Sequence, residues 1–193
     1  MNWKIKLIYT STPWRGLNVL LKAFEIIDRD DIELHIYSST KIYGDDFDKQ
    51  TNERYKPLFD KAQSMENVIY HGYGTNDEVR QAVSESHIFA YPCIFEETSC
   101  ISAIEAGMAG CRIITTNFGA LPETCSEFAK YVPFNSDLQE LAIDYAYYLN
   151  QEIDNIRSIE TQSLLEDQKK FFNRFYSWES RIPEWEFLLK IFK

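Results

Sequence analysis

The sequence has no long apolar run, and this absence limits where the protein can reside. No stretch approaches the roughly 18 apolar residues that a membrane-spanning helix needs. The first residues, Met1–Lys4, lead directly into a strand-like segment, whereas a signal peptide would continue into an apolar core. We therefore expect a cytoplasmic protein with no transmembrane segment.

Cysteine is scarce as well. The chain has four cysteines with six, ten and thirteen residues between successive members, and none forms a C-x-x-C pair: Cys93, Cys100, Cys111 and Cys125. Structural zinc sites usually contain such a pair. We therefore expect reduced thiols, as in cytosolic proteins, and no metal site.

Positive charge is in the minority, with 20 Lys and Arg residues against 30 Asp and Glu residues and a formal net charge of -10 at pH 7. A protein that binds by neutralising a phosphate backbone carries the opposite balance. Nucleic acid is therefore excluded as the main partner. A small anionic ligand is compatible with this charge, since backbone amides and one or two local cations can bind it.

The dinucleotide fingerprint G-x-G-x-x-G is missing from the first predicted β–α turn, Tyr9–Leu17. In nicotinamide and flavin enzymes, its glycines let the backbone approach a pyrophosphate. Its absence argues against both classes of enzyme.

The residues that are present predict one folded domain over 1–193. Hydrophobic residues make up 45% of the 193, which is enough for a core. Short apolar runs alternate with helix-length segments, which is typical of an α/β, Rossmann-like parallel sheet with helices on both faces. The predicted strands are Ile5–Tyr9, Glu33–Tyr37, Asn67–Tyr70, His87–Ala90, Arg112–Thr115 and Lys130–Val132.

The helices are predicted from apolar spacing and capping residues. Asn76–Glu78 indicates a cap and an acidic first turn. The polar segment Tyr43–Tyr55 is interpreted as an excursion between the second strand and its helix. No strand is predicted after Asp137, and residues 158–193 are interpreted as closing helices.

In a doubly wound sheet, ligands bind at the carboxyl ends of the strands. The loop after the first predicted strand contains the hydroxyls of Ser11 and Thr12, followed by Arg15 just before a helix. The guanidinium of an arginine offers a fixed fork of donors to a phosphate. The alternative is an N-capping loop with a solvated Arg15.

The loop after the fourth predicted strand contains Glu97, and Thr98 or Ser99 can cap the helix that follows. The free amides of that helix would face a diphosphate. Glu105 lies about six residues into the helix, roughly 9 Å along its axis, and its side chain leans back toward the N-terminus. A ribose attached to the diphosphate would lie near it. The alternative is a buried glutamate that caps a neighbouring backbone amide.

The segment Asn117–Thr124 forms a third loop at the same edge. Gly119 would allow the backbone to approach a ligand closely, and Glu123 would point at the same crevice. Such turns occur in any α/β protein, so this loop only supports the other two.

Taken together, these motifs resemble a known family. The spacing Glu97-x7-Glu105, followed by the strand Arg112–Thr116 and the turn Gly119–Glu123, is similar to the C-terminal, donor-binding half of retaining glycosyltransferases of family 4 (glycosyl transferases group 1), which have the GT-B fold. Three further segments resemble the family's phosphate loop, the strand before its base site and the aromatic segment before its last helix: Pro13–Leu17, Asn67–Gly72 and Tyr176–Glu179. The order is the family's order over nearly the whole chain.

The resemblance implies a role for each matching position. Glu97 would lie beside the donor sugar and, with Arg15 on the diphosphate, would be catalytic, while Glu105 would hold the ribose hydroxyls. The remaining implied binding residues are Ser11, Thr12, Gly72, Tyr73, Gly74, Thr98, Ser99, Cys100 and Gly119. The implied donor is a UDP- or GDP-hexose and the acceptor a glycan or another molecule. No cofactor or metal is implied, because Arg15 and the helix dipole would neutralise the diphosphate.

The chain also departs from the family. Thr98-Ser99-Cys100 stands where Gly-Phe-Gly is usual, and Thr10 replaces a second basic residue. The resemblance leaves no counterpart of the acceptor-binding N-terminal domain in these 193 residues, so we expect a missing half or a partner subunit to supply the acceptor site and the chain alone to be inactive. Two alternatives stay open: a non-catalytic nucleotide-sugar-binding subunit or sensor, and a flavodoxin-like signalling domain without a nucleotide site.

Overall fold

The computed structural model describes residues 4–192, which contain a six-stranded sheet in the order β3-β2-β1-β4-β5-β6. Every neighbouring pair of strands is parallel. The strands are β1 Ile5–Thr10, β2 Ile32–Tyr37, β3 Val68–Gly72, β4 Ile88–Tyr91, β5 Arg112–Thr116 and β6 Ala129–Val132. This confirms the predicted Rossmann-like α/β fold, and each predicted strand is present to within three residues at its ends.

Helices form a layer on each side of the sheet. The α-helices are α1 Leu17–Ile27, α2 Asp45–Ser64, α3 Asn76–Ser84, α4 Ile101–Ala109, α5 Leu121–Cys125, α6 Leu138–Asn155, α7 Ile159–Tyr176 and α8 Trp178–Ile191. In one layer α1 packs against α2 and α6, and in the other α4 packs against α3 and α7. The closing helices predicted for 158–193 are observed as α7 and α8. No helix in residues 4–192 has both the length and the hydropathy required to span a membrane.

Burial along the strands shows where the core lies. Every residue of β4 and β5 is buried, whereas β2 alternates between buried and half-buried positions and the edge strand β3 is partly exposed. Strands covered on both faces require continuous apolar sequence, and this is why the central strands were recognisable. The core is therefore centred on β1, β4 and β5, the strands that lead into the three predicted loops.

The predicted excursion Tyr43–Tyr55 is wrong for most of its length. Helix α2 begins at Asp45, after Gly44 with φ +98°. Three aspartates in its first turn favour the helix N-terminus electrostatically: Asp45, Asp46 and Asp48. The helix is polar because only Phe59 and Ala62 are buried, and this polarity concealed it.

The cap of α3 differs by one residue from the prediction. Thr75, not Asn76, is the N-cap: its hydroxyl accepts from Glu78 N at 3.3 Å, and the Glu78 carboxylate accepts from Thr75 N at 2.8 Å. The two bonds form a capping box, which satisfies two backbone donors that a helix leaves free.

Helix α7 is attached to α4 by close packing at a glycine. Phe172 is fully buried, and a Cβ on Gly107 would lie 2.5 Å from its ring. Beside it, Gln168 Nε2 donates to the Cys111 carbonyl at 2.8 Å. The absence of a side chain at Gly107 therefore sets how closely the two helices approach.

We predict that Gly107→Ala lowers the free energy of unfolding by about 1–3 kcal/mol, because the new methyl overpacks against Phe172. The sign of the change in the free energy of unfolding is informative, since Gly→Ala in a free helix would stabilise the helix by up to about 1 kcal/mol. Urea unfolding measures it, and in a Phe172→Leu background the loss should shrink. A Gly107→Ala protein more stable than the parent would contradict the close packing.

Candidate functional site

A cleft of about 620 Å³ opens at the carboxyl ends of β1–β4. Strand order reverses between β1 and β4, and this is where doubly wound sheets bind ligands. The volume is that of a small-molecule site. All but one of the predicted site residues line the cleft: Ser11, Thr12, Arg15, Gly72, Tyr73, Gly74, Glu97, Thr98, Ser99, Cys100 and Glu105. Gly119 is not in the lining.

The first loop is pressed against the loop that follows β4. Gly16 has φ +118°, and a Cβ there would lie 2.0 Å from the Pro92 carbonyl oxygen. No side chain fits this contact, so glycine is required. The buried Tyr9 hydroxyl donates to the Thr12 carbonyl at 2.8 Å and so fixes the turn to the core. As a result, Arg15 is directed across the junction of the two loops.

Arg15 forms an ion pair with Glu97 in this junction. Its Nη1 donates to Glu97 Oε1, and the guanidinium lies over the Phe95 ring, 4.5 Å from the centroid. The Glu97 side chain is only 4% exposed and also accepts from the Tyr91 hydroxyl at 2.6 Å. Arg15 is therefore not the solvated residue of the alternative interpretation.

Protonation states in the junction follow from these contacts. Burial opposes the charge on Arg15, but hydrogen bonds with Glu97 and Tyr91 outweigh it and raise the pKa of the guanidinium. Burial also raises the pKa of Tyr91 far above its usual value, so the phenol stays a proton donor. The neighbouring Cys100 thiol, raised by burial to a pKa of about 12, is protonated as well.

The helix after Glu97 starts later than predicted. Its N-cap is Cys100, which makes no side-chain capping hydrogen bond, while Thr98 and Ser99 are exposed in the preceding loop. Capping by Thr98 or Ser99 is thus wrong. The N-terminus of α4 still faces the cleft through Cys100 and Ser102, so its partial positive charge is available to an anion.

Glu105 is the fifth residue of α4 and is less buried than expected. Its side chain is 31% exposed and accepts from Arg80 Nε at 3.0 Å. The apolar neighbours in the sequence belong to the other faces of the helix. The alternative of a buried, amide-capping glutamate is therefore not what the structure shows. Glu105 lies on the cleft wall with an exposed cation beside it.

The third loop contacts the backbone of Glu97 and is not part of the cleft lining. Gly119 has φ +58°, and a Cβ there would lie 2.6 Å from the Glu97 nitrogen. Ala120 N donates to the Glu97 carbonyl at 2.8 Å. Glu123 is exposed and lies outside the cleft lining, so the expectation that it points into the crevice is wrong. The function of Gly119 in this structure is to hold the Glu97 backbone.

The predicted base region lies around an aromatic stack. Tyr37 lies parallel to His71, 4.3 Å between ring centroids, and a Cβ on Gly74 would lie 2.8 Å from the Tyr37 ring. Gly72 has φ +71°, and Tyr73 is 54% exposed. The β3 loop thus presents exposed backbone and a flat aromatic surface.

Two buried hydroxyls in the cleft lining have no hydrogen-bond partner among residues 4–192: Thr12 Oγ1 and Ser38 Oγ. Buried polar atoms are nearly always paired in proteins, so each of these is suited to a polar ligand atom. Thr12 was predicted as a ligand-binding hydroxyl. Ser38 was not predicted as a site residue, although it stands at the end of a predicted strand.

Sequence reasoning also missed Tyr91, Arg80 and Ser102. Tyr91 ends a buried strand, and that position was a usable signal. Arg80 is 25 residues from Glu105, and Ser102 Oγ donates to the Thr10 carbonyl at 2.8 Å across 92 residues, so neither contact had a local signature. Within 4–192, no group of three or more His, Cys, Asp or Glu residues is arranged to hold a metal ion.

Comparison with known proteins identifies the family of the chain. The family model described as glycosyl transferases group 1 matches residues 7–163, which is most of the chain. The chain belongs to this family. A search among curated protein sequences finds no significant match.

Three solved structures with the same fold as this group 1 chain share little sequence identity with it. Sucrose-phosphate synthase from Thermosynechococcus elongatus has a TM-score of 0.78 and 16% identity, over 100% of this chain and 46% of its own. HepE of Anabaena, in complex with UDP and glucose, has a TM-score of 0.71 and 14% identity, over 97% of this chain and 48% of its own. The pneumococcal O-GlcNAc transferase GtfA, in complex with UDP and GlcNAc, has a TM-score of 0.70 and 16% identity, over 96% of this chain and 35% of its own. The chain thus spans about half or less of the length of these structures, which share the fold.

We predict that Arg15→Met lowers the free energy of unfolding by roughly 2 kcal/mol, because the buried Glu97 loses its cation, with a discount for the partial exposure of Arg15. Arg80→Met is the matched control: its pair with Glu105 is solvent-exposed and should cost less than about 0.5 kcal/mol. Denaturant unfolding of both variants measures the difference. Equal losses would show that the Arg15–Glu97 pair contributes no more than a surface pair.

Proposed function

We propose that the chain is the donor-binding half of a retaining glycosyltransferase that transfers a hexose from a UDP- or GDP-sugar to a glycan or another acceptor. One observation carries the proposal: a single cleft at the strand-order reversal brings together Arg15, Glu97, the N-terminus of α4 and Glu105. These are the groups that a diphosphate flanked by two sugars would need. The UDP and sugars in the HepE and GtfA structures support this choice of ligand.

Each part of the donor has a proposed place in the cleft. The diphosphate lies at the N-terminus of α4 within reach of Arg15, and the unpartnered Thr12 hydroxyl faces the same loop. The ribose lies at Glu105, whose exposed pair with Arg80 can open at little cost. The base lies over Gly72–Gly74 and the transferred sugar beside Glu97.

The chemistry proposed for this site is electrostatic. When the bond between sugar and diphosphate breaks, negative charge develops on the leaving diphosphate. The partial positive charge of the α4 N-terminus and the guanidinium of Arg15 stabilise that charge. Burial of the Arg15–Glu97 junction strengthens these interactions because little water screens them. In this scheme the two groups supply the neutralisation without a metal ion or another cofactor.

The acceptor is proposed to bind outside this domain. The proposed donor contacts take up the cleft-lining loops after β1, β3 and β4 and the start of α4, and these three solved structures are about twice as long as the chain or longer. Transfer would then require a second domain or a partner subunit, and the chain alone would bind donor without transferring it. The same observation favours a second candidate, a non-catalytic nucleotide-sugar-binding subunit. Assays of donor hydrolysis, and of transfer after candidate acceptor-binding halves are added, distinguish the two.

The proposed compartment is the cytoplasm. All four cysteines are free and buried: Cys93, Cys100, Cys111 and Cys125. Free thiols persist where the environment is reducing. Fractionation of the cells that produce the chain tests this assignment.

We predict that Glu105→Ala weakens nucleotide binding about tenfold, the size expected when a charged acceptor for hydroxyls is lost. Isothermal titration with UDP and GDP measures the affinity, and a thermal-shift panel of the two nucleotides first shows which base is preferred. Glu123→Ala removes an exposed glutamate outside the cleft and serves as control. Unchanged affinity in Glu105→Ala would remove the ribose assignment. Failure of the unsubstituted chain to bind either nucleotide would overturn the proposed function and favour a domain without a nucleotide site.

A further inference from the structure

The Glu97 carboxylate is held by only one of its two oxygens. Arg15 Nη1 and the Tyr91 hydroxyl, the latter at 2.6 Å, both donate to Oε1, and the Cys93 thiol lies 3.9 Å from the same atom. Oε2 receives no such bond from residues 4–192 and is not among the buried atoms that lack a partner, so it has access to solvent. One oxygen is thus fixed and the other is free to bind a ligand.

The two donors differ in rigidity. Tyr91 is fully buried at the end of β4, with its ring 5.9 Å from that of Tyr9 and 5.5 Å from that of Phe89. Its hydroxyl position is therefore fixed by the core. Arg15 is a longer, partly exposed side chain whose guanidinium rests on the exposed Phe95. Of the two donors, Tyr91 is therefore the one that can fix the orientation of the Glu97 carboxylate.

The loop that carries Glu97 is anchored at its backbone by other contacts. Ala120 N donates to the Glu97 carbonyl at 2.8 Å, and Thr116 Oγ1 donates to the Cys93 carbonyl at 2.6 Å. These bonds fix where the residue begins but not how its side chain is rotated. The side-chain rotation is set at Oε1.

We propose that Tyr91 is a positioning residue that orients the Glu97 carboxylate so that Oε2 accepts a hydroxyl of the donor sugar. This rests on the proposed function, because it takes a nucleotide sugar as the ligand. Tyr91 does not touch the sugar in this arrangement. Its effect falls mainly on the sugar half of the donor, since the proposed base and ribose contacts lie at the end of β3 and on α4.

The test compares a nucleotide with its sugar conjugate. Tyr91→Phe removes only the hydroxyl and keeps the packing of the ring. UDP with UDP-glucose and UDP-GlcNAc, and GDP with GDP-mannose, are titrated by calorimetry against the full chain. For the preferred pair, the sugar nucleotide should lose about tenfold of its affinity relative to the nucleotide, while the affinity for the nucleotide itself changes less than about twofold.

Tyr145→Phe is the matched control. Tyr145 is also fully buried and lies beside the Tyr91 backbone, but its hydroxyl donates to the Ile114 carbonyl at 2.9 Å and not to Glu97. This variant should lose similar stability without changing the affinity ratio. The double variant Tyr91→Phe/Glu97→Gln shows whether Tyr91 acts through Glu97: it should bind no worse than Glu97→Gln alone.

Several results would overturn the proposal. They are an unchanged ratio in Tyr91→Phe, the same loss in Tyr145→Phe, additive losses in the double variant, or equal binding of nucleotide and sugar nucleotide by the unsubstituted chain. Binding of neither nucleotide by that chain would overturn the proposed function together with the positioning role. That outcome is distinct from an unchanged ratio with intact nucleotide binding.

Discussion

The ion pair between Arg15 and Glu97 is the interaction on which the cleft depends. It joins the loop after β1 to the loop after β4, the two strands between which the strand order reverses. A carboxylate that is almost completely buried is costly without a cation and hydrogen-bond donors. The ion pair therefore requires the two loops to lie close together. Gly16 makes this possible, because it has no side chain to collide with the Pro92 carbonyl. The loops after β1 and β4, and with them the start of α4, are held at this junction.

The overall negative charge of the chain and an anionic ligand are compatible because the favourable field is local. The net charge of -10 is distributed over the surface, where solvent and salt screen it. At the junction, burial limits screening, and the N-terminus of α4 adds a fixed partial charge. Arg15 is shared with Glu97 in this structure, so a diphosphate would compete with or join that pair. The strength of binding depends on how much of the Arg15 charge remains for the phosphates.

Apolar runs and turn residues predicted most of the fold, because the central strands are buried on both faces and must be apolar along their whole length. The prediction failed at α2, where a helix that buries only Phe59 and Ala62 has the composition of a loop. For the cleft, strand-end loops identified Arg15, Glu97 and Glu105. Two other cleft contacts could not be found in this way: Arg80 donates to Glu105 and Ser102 donates to the Thr10 carbonyl, across sequence separations that only the folded topology closes. Gly119 lies outside the cleft lining, and its close contact with the Glu97 backbone had no local signature in the sequence.

The two glutamates of the cleft have opposite surroundings, and the difference suits two different tasks. Glu97 is buried, with one oxygen fixed by donors from the loop after β1 and from the end of β4, so its geometry is set before any ligand arrives. Pre-set geometry matters where charge changes during a reaction, because no energy is then needed for reorganisation. Glu105 is partly exposed and paired with an exposed arginine, an interaction worth about 0–1 kcal/mol. Such a pair opens readily. This suits the proposed role of Glu105, which must release Arg80 and accept the ribose hydroxyls. Burial alone therefore gives a rigid carboxylate at the proposed sugar position and an adaptable one at the proposed ribose position.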